Sequence, residues 1–222
     1  DNSDRQDRLA GGWRADDGAP NEVRAGVYFL HFETAAGDIS GPYTPSGLGI
    51  HVDDVETLYL AYTRTLATHF VAELAFGYPP LTKTEGRGPA TLGSVPYNGQ
   101  TISTARWFSP TLLFEYVFGD TGSRLRPYVG VGVNYTRFFA RQSTAAGDAA
   151  SGGPTSISLP AAVGPSATAG LSYEITDRWH VYASYSVAQV NTKLTADTAG
   201  ILRTSEVHFW PNAQVLSAGD SF

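Results

Sequence analysis

The sequence predicts an all-β fold, an eight-stranded antiparallel transmembrane β-barrel with short periplasmic turns and long extracellular loops. Three observations predict it. First, segments such as "LRPYVGVGVNYTRFF" (Leu125 to Phe139) alternate strictly, one parity apolar (Leu125, Pro127, Val129, Val131, Val133, Tyr135) and the other small or polar. Successive strand side chains point to opposite faces, so this pattern gives a strand two unlike environments. Second, short and long connections alternate down the chain, as they do in membrane barrels. Third, charged residues are only 16% of the sequence, against about 25% in soluble domains.

Residues 1–21 are polar and rich in Asp, Arg and Gly, and read as a mobile periplasmic tail. The chain begins at Asp1 and contains no Met, which predicts a processed chain whose signal peptide has been removed. The remainder, 22–222, reads as the barrel, with eight alternating segments near 22–34, 51–65, 69–81, 104–118, 125–139, 162–175, 178–194 and 203–222. Tyr, Phe, Val and Thr populate them, as strands prefer. Strands two and three join through "LATH", four and five through "GDTGS", and six and seven through "ITDR". The other connections, near 35–50, 82–103, 140–161 and 195–202, are long and rich in Gly, Ala, Ser, Thr and Pro. No segment sustains a helical period with caps.

On strands two, three, four, six and seven the apolar set carries no charge. Leu58, Leu60 and Tyr62 form it on strand two, Phe70, Leu74 and Tyr78 on strand three, Leu112, Phe114 and Tyr116 on strand four, and Trp179, Val181 and Tyr185 on strand seven. A Lys or Arg at mid-bilayer costs about 2–4 kcal/mol, so this set is expected to face lipid, with aromatic residues gathering at its ends. The inward set holds nearly all in-strand charge. Arg24, Glu73, Glu115, Arg126 and Glu174, with His180 beside them, fall toward the short-turn end and are expected to pair there as a lumen floor. Above them the inward set turns apolar, with Leu30, Phe32, Val55, Trp107, Phe138 and Phe209 forming a hydrophobic funnel that opens outward. The floor charges serve either as lumen filling for stability or as a gate. Gly130 and Gly132 leave room either for a neighbouring ring, Tyr28 or Tyr182, or for a solute.

Several function classes are set aside. A net charge of −6 without a basic cluster speaks against nucleic acid. Without cysteine there is no disulfide framework and no thiolate metal site. No apolar run approaches the roughly 18 residues of a membrane helix. The histidines (His31, His51, His69, His180, His208) form no motif with Ser or carboxylate, so no enzymatic activity is expected. "HVDD", His51 to Asp54, offers cation ligands but reads as a solvated loop end, so neither a metal nor a cofactor is expected.

"VRAG" opening strand one, "ELAFGYPP", "SPTLLFEYVFGD", "LRPYVGVGVNYTRFF" and the terminal Phe222 resemble the outer-membrane protein W family, including its alkane-uptake type, in order and spacing over residues 22–222. The resemblance implies an eight-stranded barrel in the Gram-negative outer membrane. It implies passive uptake of small hydrophobic molecules into the membrane, with membrane lipids and a small hydrophobic solute as partners. Phe222 resembles the aromatic end read by the outer-membrane assembly machinery. One departure is Asp220, where the family has a girdle aromatic, with Asn212 and Gln214 on the same parity.

A charged floor stops a hydrophobic solute, because displacing or desolvating those groups is costly. The solute is therefore expected to leave sideways. Proline lacks a ladder N–H, so Pro79 and Pro80 on strand three and Pro110 on strand four predict a lateral slot between the upper parts of these strands. Simple bend tolerance is the other reading of these prolines. The alternative function is a non-transporting barrel that acts through its extracellular loops in adhesion, stress or phage reception. A soluble barrel fails on inward charges beneath an apolar exterior.

Overall fold

The computed structural model describes residues 21–36, 38–89, 91–92 and 95–222, and leaves aside the side chains of 33–36, 91, 92, 95 and 209. The tail expected over 1–21 therefore lies, apart from Asn21, outside the described residues, as does the Phe209 side chain expected in the funnel. Strand one is Asn21–Ala36 and strand two is Gly49–Val52 with Val55–Ala67. Strand three is Phe70–Gly77 with Leu81–Arg87, and strand four is Thr101–Phe108 with Thr111–Val117. Strand five is Leu125–Ser143, and strand six is Ser156–Ser158 with Ala162–Glu174. Strand seven is Trp179–Ala188 with Val190–Thr198, and strand eight is Ile201–Ser221.

The lower parts of the strands form a closed antiparallel eight-stranded barrel, each pairing with both neighbours. One circuit of the register shows its stagger. Trp179 lies opposite Asp220, Asp220 opposite Val23, Val23 opposite Tyr62, Tyr62 opposite Leu74, Leu74 opposite Leu112, Leu112 opposite Val133 and Val133 opposite Pro165. Pro165 then accepts a bond from Gln189 N at 3.0 Å, ten residues above Trp179 on strand seven. Such a stagger tilts the strands by about 35–45° and leaves a lumen that side chains nearly fill.

The parity expected from the sequence holds. Leu58, Leu60, Phe70, Leu74, Leu112, Phe114, Val129, Val131 (68% exposed), Val133, Trp179 and Val181 all lie on the outer surface. Strand eight follows with Trp210, Leu216 and Phe222 outside, and Asp220 shares their side. Arg178 at the end of the neighbouring strand closes a fork on Asp220, with Nε to Oδ1 at 3.2 Å and Nη2 to Oδ2 at 3.0 Å. The girdle carboxylate is thereby matched by a cation at the same rim.

The strands run past the lipid band. The upper parts of strands two, three and four join the top of strand five in one sheet, through Val52 opposite Thr84, Lys83 opposite Thr104 and Phe138 opposite Trp107. Ser156–Ser158 joins the tops of strands seven, eight and one in a second. Among the described residues no ladder joins the two sheets. Between them sits a short helix, Ala145–Ser151, that the sequence pattern did not predict. Thr144 caps it by accepting from Gly147 N, and Gly152 ends it in the left-handed region.

The Gly130 and Gly132 expectation is corrected. Tyr28 lies over Gly77, not over strand five, and the ring that reaches strand six is Tyr128, whose Cζ lies 2.6 Å from where a Gly170 Cβ would stand. Gly130 instead faces Glu115 Cγ and Thr168 Cγ2, both at 3.0 Å. A Cβ on Gly132 would overlap the Leu112 carbonyl oxygen, so this glycine marks a close approach of strands four and five.

Candidate functional site: a charge cluster in the lumen beneath two cavities

Glu22 and Arg24 stand two residues apart on strand one, so both enter the lumen. Arg24 is the hub. Its Nε donates to Glu22 Oε2 at 3.1 Å, its Nη1 donates to Glu73 Oε2, and the same Nη1 lies 3.8 Å from Glu115 Oε2. A planar fork suits this many carboxylates better than a point-charge ammonium. Tyr59 OH donates to the other oxygen of Glu73 at 2.9 Å. Tyr182 OH lies 2.8 Å from both oxygens of Glu22, and Thr63 Oγ1 donates to Glu22 at 3.3 Å. His180 Nδ1 lies 3.5 Å from Glu22 Oε1. The guanidinium carbon sits 3.8 Å from the Tyr182 ring centroid, within cation–π reach. One guanidinium thus meets three carboxylates, and Glu115, 2% exposed, keeps Oε2 without a hydrogen-bond partner among the described residues.

Of the five charges expected in this floor, Arg24, Glu73 and Glu115 meet. Arg126 and Glu174 do not. Arg126 Nε donates to the Phe118 carbonyl at 3.4 Å, and neither residue makes an ion pair among the described residues. The reason is depth: Glu115 lies opposite Gly130, four residues above Arg126, or about 13 Å along the strand at 3.3 Å per residue. Glu174 lies opposite His180, near the short turn. Glu22 is the member that sequence reasoning missed. Its parity with Arg24 was the available signal, hidden by its position at the border of the polar tail.

Above the floor the described side chains expected in the funnel are inward, among buried polar residues such as Thr82, Asn134 and Thr136. Leu30, Phe32 and Trp107 are buried, and Val55 and Phe138 pack against them half-buried. Among the described residues, two cavities in this region stand out. The lower, about 90 Å³, lies on the floor against Tyr28, Leu30, Glu73 and Trp107. The upper, about 120 Å³, lies at the mouth among Ile39, Leu48, Ile50, Ile102 and Leu194. Tyr97, in the connection between strands three and four, helps to wall the mouth against Gly86, and burial pushes its phenol up to about 12. Phe32, Val52, Val190 and the fully buried Val207 line neither cavity and form a packed waist between them. Phe32 meets Trp107 edge-on at 5.8 Å, and Trp107 Nε1 donates to Thr82 Oγ1 at 2.7 Å.

Pro79 and Pro80 separate the two parts of strand three, and Pro110 those of strand four. The ladder between these strands stops after Ala75 opposite Thr111 and resumes at Leu81 opposite Arg106. Their upper parts are therefore paired, and the interruption of the ladder, a candidate window, is bounded above and below and is shorter than the slot the prolines suggested. Arg106 Nη1 reaches across it to the Pro79 carbonyl at 2.9 Å. Ala75, Trp107, Ser109 and Thr111, at its border, also line the lower cavity.

Of the "HVDD" ligands, Asp54 is engaged on the outer surface. It takes His31 Nδ1 at 2.7 Å and the Phe32 amide at 3.2 Å.

The comparisons with known proteins agree with this architecture. Outer membrane protein W of Vibrio cholerae is 28% identical over 179 residues, 81% of this chain and 78% of its own. That of Escherichia coli is 33% identical over 121 residues, 54% and 56% of the two chains. The crystal structure of OprG from Pseudomonas aeruginosa superimposes with a TM-score of 0.81 at 21% identity, over 93% of this chain and 97% of that one. The solid-state NMR structure of AlkL in lipid bilayers gives 0.66 at 21% identity, over 92% of each. The sequence matches the OmpW family over residues 22–222. With strands that carry an apolar exterior, a lumen that holds the Arg24 charge cluster and that match, the chain belongs to the OmpW family of Gram-negative outer-membrane β-barrels.

Proposed function

We propose that this barrel is a passive route for small hydrophobic molecules from the cell exterior into the outer membrane. The solute enters the mouth cavity, passes the waist, reaches the lower cavity and leaves through the window between strands three and four. The observation that carries this reading is that the lower cavity and the window share a border at Ala75, Trp107, Ser109 and Thr111. Below that point the Arg24 cluster closes the lumen to an apolar solute, since separating or desolvating its charges is costly. Replacing Pro79, Pro80 and Pro110 by Val or Thr restores ladder donors and favours pairing across the window. The triple variant is expected to slow octane uptake by cells or outer-membrane vesicles. Uptake equal to wild type would remove the lateral exit.

The packed waist favours the alternative, a barrel acting through its loops alone. Octane uptake that is the same with and without the protein would favour that reading. We further infer that Phe222, exposed and held by its amide to the Asn21 carbonyl at 2.8 Å, serves as the signal to the assembly machinery. Phe222→Ala should then lower the yield of folded barrel in the membrane without lowering the stability of what folds.

A further inference from the structure

The lower cavity has both apolar and polar lining. Tyr28, Leu30, Ala75 and Val215 present carbon on the side of strands one, three and eight. Ser109, Thr111, Asn134, Ser166, Ser184 and Ser186 present polar groups on the side of strands four to seven. Most of these polar groups are engaged. Asn134 Nδ2 donates to Ser109 Oγ at 2.7 Å and to Thr111 Oγ1 at 2.8 Å, and Asn134 Oδ1 accepts from Thr136 at 2.7 Å. Ser186 Oγ donates to Thr168 Oγ1 at 2.8 Å.

Ser166 differs. It is 9% exposed, it lines the cavity, and its Oγ has no hydrogen-bond partner among the described residues. Its cross-strand neighbours are Gly132 and Ala188, which offer no side-chain acceptor or donor. The inward residues above and below it on strand six are Gly164 and Thr168, the latter already bonded to Ser186. Buried polar groups are almost always satisfied, and one left unmade is costly. A hydroxyl on a cavity wall with no protein partner is satisfied by what occupies the cavity.

We infer that Ser166 is the polar anchor of the solute site. The inference rests on the uptake route proposed above and specifies its cargo: small molecules with an alkyl body and one neutral hydroxyl or carbonyl group. The alkyl part lies against Tyr28, Leu30, Ala75 and Val215, and the polar group bonds Ser166 Oγ. Anions are disfavoured, because Glu73 lines the same cavity above two further carboxylates.

The test uses the full barrel in lipid nanodiscs, titrated with octan-1-ol and with octane while amide resonances are followed. Octan-1-ol is expected to shift the Ser166 amide saturably. Ser166→Ala should lower the preference for octan-1-ol over octane about fivefold, one hydrogen bond's worth, and Ser166→Thr should restore it. Equal preference in wild type and Ser166→Ala, as when water satisfies the hydroxyl, overturns the inference. So does the absence of a saturable shift at Ser166. Vesicle uptake with and without the protein tests the route separately: saturable, Ser166-dependent binding in a barrel that speeds no uptake would uphold the anchor and overturn the route.

Discussion

Tyr182 holds Arg24 in two ways. Its ring centroid lies 3.8 Å from the guanidinium carbon, and its hydroxyl lies 2.8 Å from Glu22, the carboxylate that Arg24 also binds. Tyr182→Phe keeps the ring and removes only the bond to a charged acceptor, which is expected to cost about 1.5–3 kcal/mol. Tyr182→Leu also removes the cation–π contact, about 0.5–2 kcal/mol more. Arg24→Ala strands three carboxylates and should cost about 3–5 kcal/mol. The order wild type, Tyr182→Phe, Tyr182→Leu, Arg24→Ala should appear as falling temperatures for loss of the folded band in gel electrophoresis. A Tyr182→Leu barrel as stable as wild type would falsify the hub role of Arg24.

Glu73 and Glu115 approach the same guanidinium but are not equivalent. Glu73 accepts from Arg24 and Tyr59, whereas Glu115 stands 3.8 Å from Arg24 with one oxygen unpartnered. Glu73→Gln should therefore destabilise by about 1.5–3 kcal/mol. Glu115→Gln removes a surplus buried charge and is expected to be neutral or stabilising. In a planar bilayer Arg24→Ala should raise ion conductance severalfold, because repulsion among the remaining carboxylates loosens the floor. Arg126→Gln, well below the cluster, should leave it unchanged.

Much of this was legible because the strand period is two and the two solvents of the barrel differ so strongly. Val129, Val131 and Val133 declare lipid, and Arg24, Glu73 and Glu115 declare lumen, without any knowledge of register. Which inward charges meet was not legible. A ten-residue stagger displaces height from strand to strand, so Arg126 and Glu174, close to the cluster in a simple count from the turns, fall below it. The ladder of Leu81–Arg87 was also hidden. It reads "LTKTEGR", polar on both faces because it stands above the lipid, where alternation has no cause. The helix Ala145–Ser151 showed its caps, Thr144 and Gly152, but seven residues with a glycine inside carry no apolar stripe.

Gly130 and Gly132 face the lumen from one strand and should respond differently to the same change. A Cβ on Gly130 meets Glu115 Cγ, Thr168 Cγ2 and the Phe114 carbonyl at 3.0 Å, which small side-chain shifts can ease only in part. On Gly132 it meets the backbone of Leu112 and Leu113, which cannot yield without parting strands four and five. Gly130→Ala is therefore expected to fold with a loss of about 1 kcal/mol, and Gly132→Ala to lose about 3 kcal/mol or fail to assemble. Folded yield in lipid, read by the same electrophoretic shift, distinguishes them. Equal yields would mean that strand five has slack at Gly132.

Phe32 of the waist meets Trp107 on the wall of the lower cavity, and loosening this contact separates the two routes a molecule could take. Trp107→Ala removes the edge contact with Phe32 and the bond to Thr82, and should cost about 3–5 kcal/mol as a large-to-small change in a packed interior. It also removes Phe32's ring partner and is expected to widen the way between the mouth cavity and the lower cavity. If solute passes the waist and turns out through the window, octane uptake should rise in this variant. Ion conductance should stay at the wild-type level, because the Arg24 cluster lies below the junction and is untouched. Arg24→Ala should show the converse, raised conductance with no gain in octane uptake. A Trp107→Ala barrel whose conductance rises instead would place the barrier to ions at the waist, and a barrel in which neither quantity moves would mean that the waist limits neither path.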